Sequence, residues 1–440
     1  MAVAGGALAA LAAGAGLGVF GPLTVAAQQA RLAAFLSQTG GSGGGLSLVV
    51  AAALVLLGAA LQPLLARAGA ALVDLRRRQG LAGWRYGHAG PALIRQLQAV
   101  TAPERVFWAG DTRSAAEIKK CSRDMGFHAA AAPDVVVSPQ SAEEVAAVVT
   151  ACAAARVPIV ARGAGSGLEG GAIPYQGGVV LNLMKMKSKE LMSEELMARV
   201  GPGVKKAELN EWLEPHGLLF GPDPASNPSV GGMASTRGSG LSTIMYGTTK
   251  ENVVSLVVVT PQGKIVRTRQ CVRKSSTGYD LTQLYIGSEG TLGIIVELVL
   301  RLRPIPAVRC GAMAVFPDVS SAARAVSQAV RSNLGCICRC ELLNADGIRA
   351  TNKKFDTALQ EMPTVFLEFR AEQVAPCRQD ADTVKAIAEE QGALGFTFTQ
   401  DAKEMDVGTA TFWGAKLLLG KGEQGLCVRL IIFHFIGYLY

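Results

Sequence analysis

The residues with the clearest capacity for chemistry form a glycine-rich segment, Arg162-Gly-Ala-Gly-Ser-Gly-Leu-Glu-Gly-Gly171, directly after an apolar stretch at 157–161. Alternating glycines let backbone N–H groups turn toward one point, which is how a loop cradles a pyrophosphate. Further glycine clusters lie at 201–203, 231–232 and 287–293. Four such turns could clasp an extended anionic cofactor along its length. The alternative is that they are ordinary tight turns in a chain with 51 glycines.

Two common phosphate-binding loops do not fit this segment. A dinucleotide-binding Rossmann loop opens a helix, whereas Ile173-Pro174 and Gly177-Gly178 break any helix here and 179–183 reads as a strand. The Walker loop ends in Gly-Lys-Ser/Thr, and that sequence does not follow the glycines. The loop is therefore expected to connect two strands and to bind phosphate through its backbone.

The flanking sequence predicts the elements that position the loop. Ser141, with Glu144 three residues later, forms a capping box that opens a helix to Arg156. Strands are predicted at 134–137, 157–161, 177–183, 252–260, 264–269 and 293–303. After residue 306, strands at 312–316, 336–342, 364–369 and 396–399 alternate with helices at 318–331, 345–354 and 380–391. This pattern predicts an α+β fold whose second part is a small cap with an antiparallel sheet.

Taken together, the motifs resemble a known family. The glycine loop with Pro222-Asp-Pro224, Gly231-Gly-Met-Ala234, Tyr246-Gly-Thr248 and Gly287-Ser-Glu-Gly-Thr-Leu-Gly293 is similar to the FAD-linked D-lactate dehydrogenases (cytochrome). These are flavoproteins of the vanillyl-alcohol-oxidase or p-cresol methylhydroxylase type (PCMH-type). The resemblance runs from about residue 133 to 406. It implies an FAD-binding domain at 133–305 of two α/β subdomains and an incomplete substrate cap at 306–406.

The resemblance also implies which residues bind FAD, and binding should be non-covalent because 222–232 contains no His or Cys. The residues expected to bind the pyrophosphate are Arg162, Gly163, Ala164, Gly165, Ser166, Gly167 and Leu168. Those expected along the isoalloxazine and ribityl side are Ser229, Gly232, Met233, Ser235, Ser239, Tyr246 and Gly247. Those expected at the adenine end are Glu289, Gly290 and Ile294.

The implied reaction is oxidation of D-lactate, or a related D-2-hydroxy acid, to the 2-oxo acid, with electrons passed to cytochrome c or a quinone. Such a substrate needs a cation for its carboxylate, and Arg339 on a cap strand is the candidate. The alternative is that Arg339 pairs with Glu341 or is solvated. D-2-hydroxyglutarate dehydrogenase, glycolate oxidase subunits and alkylglycerone-phosphate synthase share the FAD motifs and stay open as alternatives.

The family's metal and base motifs, His-x-Gly-Asp-Gly-Asn-x-His and Gly-Glu-His-Gly-Ile-Gly, have no counterpart here. The four histidines are at 88, 128, 216 and 434, so the divalent metal that the family implies has no assigned ligand. Residues 407–440 depart from the family as a divergent tail. Hydride transfer is therefore expected to be slow or absent, and an inactive flavin-binding fragment is the second hypothesis.

Composition predicts the chain's surroundings. Residues 1–73 carry two charges, and 46–66 is an uncharged run long enough to span a bilayer. We expect a membrane span there in an inner mitochondrial membrane, within a leader at 1–66 and before a connector at 67–132. A cleaved targeting leader and a disordered Ala-rich leader are the alternatives. The net charge of +8 lacks a long basic run, which argues against nucleic acid and favours an anionic cofactor or a membrane surface.

The cysteines argue against secretion and against a zinc site. Cys336, Cys338 and Cys340 alternate, which in a strand puts all three on one face. Zinc sites usually combine Cys-x2-Cys pairs with nearby histidines, and neither is present. The cysteines are therefore expected to be small buried side chains of a strand.

Overall fold

A computed structural model of the chain describes residues 86–224 and 226–400. The predicted leader, the membrane span at 46–66, the connector up to residue 85 and the tail at 407–440 lie outside the described residues. Within the described ranges, no helix is both long and apolar enough to cross a bilayer.

The first subdomain contains a mixed four-stranded sheet in the order β1-β2-β4-β3. Strands β2 and β3 both run parallel to β4, which lies between them. Apolar side chains of helices α1 and α3 pack on one face of this sheet. The elements are α1 (Pro91–Thr101), β1 (Val106–Trp108), α2 (Ala115–Cys121), β2 (Val135–Val137), α3 (Ala142–Ala155), β3 (Ile159–Arg162) and β4 (Val179–Asn182).

Part of the predicted connector belongs to this subdomain. β1 pairs antiparallel with β2 at the edge of the sheet. Leu93 and Leu97 of α1 are buried in the same core as the sheet. A three-residue strand is too short to show the alternation that identifies a strand in sequence.

The capping box before α3 forms only in half. The Ser141 hydroxyl accepts a hydrogen bond from the Glu144 amide at 3.2 Å, as predicted. The Glu144 carboxylate instead accepts two hydrogen bonds from the Arg105 guanidinium, at 2.7 and 2.8 Å, and one from the Gln140 amide. The start of β1 is thereby tied to the start of α3.

The second subdomain is built on a five-stranded antiparallel sheet in the order β5-β6-β10-β8-β9. The predicted hairpin is confirmed as the antiparallel pair β8–β9. One face of the sheet packs on the helices around a core that includes Leu209, Met233, Leu256 and Leu298. The elements are β5 (Lys189–Met192), β6 (Met197–Val200), α4 (Lys206–Leu213), β7 (Leu218–Leu219), α5 (Val230–Ser235), α6 (Thr243–Tyr246), α7 (Thr249–Asn252), β8 (Val253–Val259), β9 (Ile265–Arg267), α8 (Leu281–Tyr285), β10 (Ile294–Arg301) and β11 (Arg303–Pro304).

The cap is a four-stranded antiparallel sheet in the order β13-β14-β12-β15, with α9 and α11 packed together against it. The α+β prediction for this part is confirmed in element order and in strand direction. The elements are β12 (Val308–Val315), α9 (Val319–Arg331), β13 (Ile337–Leu343), α10 (Ala345–Phe355), β14 (Thr364–Ala371), α11 (Val374–Glu390) and β15 (Gly395–Thr399).

The prediction that the three alternating cysteines share a face is wrong. The pairing of β13 with β14 shifts register between Ile337 and Arg339, so Cys338 is the extra residue of a bulge. Cys336 and Cys340 pack in the cap core. Cys338 packs instead with Leu219 and Tyr246 of the second subdomain. The bulge therefore turns Cys338 and Arg339 together toward the FAD-binding domain.

A helix-cap substitution tests the start of α3. Ser141→Ala removes the acceptor of the Glu144 amide, and loss of such a cap costs about 0.5–2 kcal/mol. We expect the free energy of unfolding in urea to fall by that amount. Ser276→Ala, at an exposed loop position, is the matched control and should leave it unchanged. An equal effect of both changes would contradict the assignment of the cap.

Candidate functional site

The glycine loop leads directly from β3 into β4, with no helix in residues 163–178, as the sequence predicted. Gly165 and Gly170 have φ angles of 70° and 80°, which suit glycine because it lacks a Cβ. The amides of residues 165–168 donate no hydrogen bond to any described residue. A Cβ added at Gly167 would meet nothing within 4 Å. The loop therefore presents free backbone donors toward open space, which fits an oxyanion.

Arg162 supports the loop from below. Its side chain is buried, and its guanidinium donates to the carbonyls of Ala172 at 3.2 Å and Lys120 at 3.1 Å. A Cβ at Gly165 would lie 2.1 Å from Arg162 Nη2, so the loop rests on the guanidinium. Arg162 thus fixes the shape of the loop and adds positive charge beneath it.

Ser229 joins the loop to the next candidate segment. Its hydroxyl caps α5 by accepting from the Gly232 amide at 3.3 Å, and it also accepts from the Ala164 amide at 3.3 Å. This approach requires a glycine at 163, because a Cβ there would lie 2.1 Å from Ser229 Oγ. Two segments that are about sixty residues apart in sequence therefore meet at one hydroxyl group.

The third segment, around residues 287–290, packs onto the same place. The amides of Gly287 and Glu289 each donate at 3.0 Å, to the carbonyls of Ala234 and Ser235 respectively. A Cβ at Gly171 would lie 2.8 Å from Glu289 Oε2. The structure thus brings together members of the three groups of candidate residues predicted for the pyrophosphate, the flavin side and the adenine end.

The remaining candidate residues differ in burial, hydrogen bonding and backbone conformation. The side chains of Met233 and Ile294 are buried in the hydrophobic cores, so neither side chain faces the loop. Leu168 is half exposed. The Ser239 hydroxyl pairs with that of Thr243 at 3.0 Å. The residues whose backbone is left-handed, and so shaped for a tight turn, are Gly247, Glu289 and Gly290.

A second polar centre lies between the FAD-binding domain and the cap. Arg339 donates to Asp223 at 2.6 Å, to Glu368 at 3.0 Å and to Ser242 Oγ at 3.1 Å. Asp223 also accepts from the Ser242 amide and hydroxyl, both at 2.8 Å. Arg339 therefore bridges the two domains, and its partners differ from the predicted alternative, Glu341.

Electrostatics at this centre favour a charged Glu368 carboxylate. Burial raises the pKa of Glu368, but Arg339, Arg370 and Arg309 outweigh it and hold that pKa below its ordinary value. Arg370 donates from Nε to Glu368 at 2.6 Å. Burial and the neighbouring cations Arg339 and Arg370 lower the pKa of Lys206, and Asp223 opposes the shift.

Sequence reasoning missed Lys206 and Arg370 as members of this centre, since neither belongs to a motif. Their side chains come from α4 and β14, so only the tertiary fold brings them together. Tyr246, which lies close to Arg370, is 7% exposed, and its buried hydroxyl has no partner at hydrogen-bond geometry among the described residues. Burial, and then nearby Cys338, raise the pKa of Tyr246. The phenol is therefore neutral and carries a donor without a partner among the described residues.

The described residues include no cluster of three or more His, Cys, Asp or Glu side chains able to hold a metal ion. The eight described cysteines are free. No metal ligand was assigned from the sequence either, so the divalent ion implied by the family gains no site in this part of the chain.

Comparisons with known proteins agree with this architecture. Residues 133–269 match the FAD binding domain family, and residues 305–422 match the C-terminal domain of FAD linked oxidases. The chain is 42% identical over 277 residues to D-lactate dehydrogenase (cytochrome), mitochondrial, of Arabidopsis thaliana. It is 36% identical over 313 residues to a probable D-lactate dehydrogenase, mitochondrial, of Danio rerio.

These alignments cover 62% and 70% of this chain, but 48% and 62% of the two relatives. The chain thus spans about half to three fifths of their length. Among solved structures, p-cresol methylhydroxylase with substrate bound gives a TM-score of 0.62 at 18% identity, covering 74% of this chain and 68% of that one. An alkyldihydroxyacetonephosphate synthase gives 0.59 at 22% identity, covering 76% and 70%.

The fold and the glycine cradle define a flavin-binding domain of the p-cresol methylhydroxylase type. The chain contains an FAD binding domain and a C-terminal domain of the FAD linked oxidases, and it is similar to D-lactate dehydrogenases (cytochrome) over part of their length.

The contact between Gly163 and Ser229 gives a sharp test of the cradle. Gly163→Ala should weaken FAD binding at least about tenfold. The new methyl group displaces the Ser229 hydroxyl, and the Ala164 amide that this hydroxyl holds in place is displaced with it. Fluorescence titration with FAD measures the effect. Gly335→Ala, in the cap, where the added methyl group meets open space, is the control and should retain affinity. The double change with Ser229→Ala should recover part of the loss, and no recovery would contradict the proposed clash.

Protonation of Glu368 should weaken its ion pairs with Arg309, Arg339 and Arg370. The pKa of Glu368 in the folded protein lies below the ordinary value of 4.5. The ionised carboxylate therefore stabilises the fold fully above pH 4.5, and this stabilisation is lost as the pH falls through the folded-state pKa. We expect Glu368→Gln to cost about 3–5 kcal/mol of unfolding free energy at neutral pH, and the difference from wild type to shrink below pH 4.5.

The matched control is Glu361→Gln, which breaks an exposed pair with Arg349 and should cost no more than about 1 kcal/mol. Urea unfolding at several pH values measures both variants. A Glu368→Gln cost that stays constant with pH would contradict the role of the ionised carboxylate.

Proposed function

We propose that this chain binds FAD non-covalently and oxidises D-lactate, or a related D-2-hydroxy acid, to the 2-oxo acid. The electrons then pass to cytochrome c or a quinone. The observation that supports it most strongly is the convergence of three glycine-rich segments on α5. The Ser229 hydroxyl at its start accepts from the glycine loop, the carbonyls at its end accept from Gly287 and Glu289, and free loop amides lie beside them. The names of the relatives support the substrate.

FAD, when bound, supplies a ring that accepts a hydride from the carbon bearing the substrate hydroxyl. The chain's own part is to bind and orient both molecules. The amides of residues 165–168 would hold the pyrophosphate, because several N–H groups directed at one point bind an oxyanion well. Arg162 keeps that loop in shape and adds a positive charge beneath it.

We propose that the substrate carboxylate is held at the centre between the domains. There, the cations Lys206, Arg339 and Arg370 outnumber the neighbouring carboxylates Asp223 and Glu368. Three of the five N–H groups of Arg339 donate hydrogen bonds to protein partners, so two remain for a ligand. Arg339 therefore acts partly by positioning the cap against the FAD-binding domain. Lys206 and Arg370 add positive charge that attracts the substrate carboxylate.

The Tyr246 hydroxyl supports the same location. It is buried without a partner among the described residues, and an unmade hydrogen bond of that kind costs free energy unless a ligand or water completes it. A 2-hydroxy acid offers both a carboxylate and a hydroxyl oxygen as acceptors. The phenol can therefore donate to the substrate while the cations bind its carboxylate.

The names of the relatives also support a location for this chain in the cell. The relatives from Arabidopsis thaliana and Danio rerio are named as mitochondrial proteins, and we propose the same compartment for this chain. The uncharged run at 46–66 is proposed as its attachment to the inner membrane. The second hypothesis is a flavin-binding protein without turnover.

An anaerobic reduction experiment tests the function. The purified chain is saturated with FAD, and its visible flavin absorption band is followed after addition of D-lactate, with L-lactate as the matched control. Bleaching by D-lactate alone is the expected result. A bound flavin that D-lactate does not bleach would overturn the enzymatic proposal and leave flavin binding without turnover.

Two variants then test the carboxylate site. Lys206→Met and Arg370→Gln should each raise KM for D-lactate about tenfold or more, because each removes a charge-assisted interaction with the carboxylate. Lys385→Met, at an exposed surface position, is the control and should behave as wild type. Unchanged KM in both variants would contradict this placement of the substrate.

A further inference from the structure

A second cluster of cations lies far from the flavin cradle, at the opposite end of β10. Strand β10 begins near Gly290 of the cradle and ends at Arg301. Eight residues at about 3.3 Å each separate its ends by more than about 20 Å. Leu300 and Leu302, which flank Arg301, are buried in the core of the second subdomain. Arg301 therefore points to the other, outer face of the sheet.

Along this outer face, one group of charges is balanced. Arg199 pairs with Glu190 and Glu297, and Arg267 pairs with Glu297 at 3.0 Å. A small apolar cluster formed by Met197, Val254, Val299, Met192 and Cys271 covers the middle of the face.

A second group of charges, near Arg301 at the end of β10, is not balanced. It consists of Arg269, Arg273, Arg301 and Arg303, which we call the arginine cluster. The ion pairs among the described residues include none of these four. The Ser255 hydroxyl bonds the Arg269 carbonyl at 2.7 Å, and Ser255 lies opposite Val299, two residues before Arg301. The sheet itself therefore brings Arg269 to the end of β10.

Three members of the arginine cluster each bury one hydrogen-bond donor that has no partner among the described residues. The Nε atoms of Arg269, Arg301 and Arg303 are buried and have no partner among the described residues. Burial, and then the nearby Arg303, Arg273 and Arg269, lower the pKa of Arg301. Bringing four like charges together and burying three donors costs free energy that a bound anion would offset.

We propose that the arginine cluster is a binding site for a phosphate group. Guanidinium groups match phosphate because their planar N–H pairs donate to two oxygens at once. A doubly charged phosphate could accept from several of these side chains and neutralise part of the excess charge. The group could belong to a soluble phosphate compound or to an anionic lipid headgroup, since both present the same oxyanion. The site is separate from the cradle that would hold the FAD pyrophosphate.

The test uses the FAD-saturated chain, so that the cradle is already occupied. Thermal unfolding is compared in sodium phosphate and in sodium chloride of equal ionic strength. We expect phosphate at about ten times its Kd to raise Tm by roughly 2–4 °C. Arg301→Gln and Arg303→Gln should abolish the shift that phosphate adds over chloride. Arg267→Gln, which alters a paired arginine on the same face, should keep it.

A readout without ligand separates binding from a purely structural role. In phosphate-free buffer at low salt, Arg301→Gln should raise Tm, because it removes one of four mutually repelling charges. A structural arginine would give the opposite sign. No phosphate shift in wild type, or an equal shift in Arg301→Gln, would overturn the proposal.

Flotation with vesicles distinguishes the two sources of phosphate. Binding to vesicles that contain phosphatidic acid, but not to phosphatidylcholine vesicles, and its loss in Arg301→Gln, would assign the site to a lipid headgroup. A phosphate shift without vesicle binding would assign it to a soluble compound. Vesicle binding that Arg301→Gln and Arg267→Gln reduce equally would contradict a specific site.

Discussion

One hydroxyl group holds the flavin-binding part of this protein together. Ser229 Oγ caps α5 and at the same time accepts from the amide of Ala164, so the glycine loop is held against the start of that helix. The arrangement is possible because residue 163 has no side chain. The end of α5 then accepts two amides of the third segment. The cradle therefore depends on contacts among three distant parts of the chain, and none of the three could form it alone.

The cap is held to the FAD-binding domain by a different kind of interaction. Arg339 connects Glu368 of the cap to Asp223 and Ser242. A buried ion pair of this kind contributes little net stability, but it is costly to break from one side. The β-bulge at Cys338 is what turns Arg339 toward the other domain. The same network lies close to Lys206 and Arg370, and the buried Tyr246 lies close to Arg370.

The sequence predicted the elements of this fold better than it predicted the site. Strands such as 252–260 and the helix after Ser141 carry long periodic patterns and caps, which depend only on near neighbours in sequence. The edge strand at Val106–Trp108 and the bulge at Cys338 carry no such pattern, since each is decided by pairing with a distant strand. The glycine motifs identified the cradle. Lys206 and Arg370 carry no motif, and the partners of Arg339 depend on how the cap docks, so these could not be predicted from sequence.

We propose above all that the glycine cradle binds the pyrophosphate of FAD. The most direct measurement is a fluorescence titration of the flavin-free chain with FAD and, separately, with riboflavin, which lacks the pyrophosphate. We expect one FAD bound per chain and binding of riboflavin weaker by at least about a hundredfold, since the hydrogen bonds to the charged pyrophosphate are lost together with the adenosine contacts. Equal affinities for the two flavins, or no binding of FAD, would contradict it.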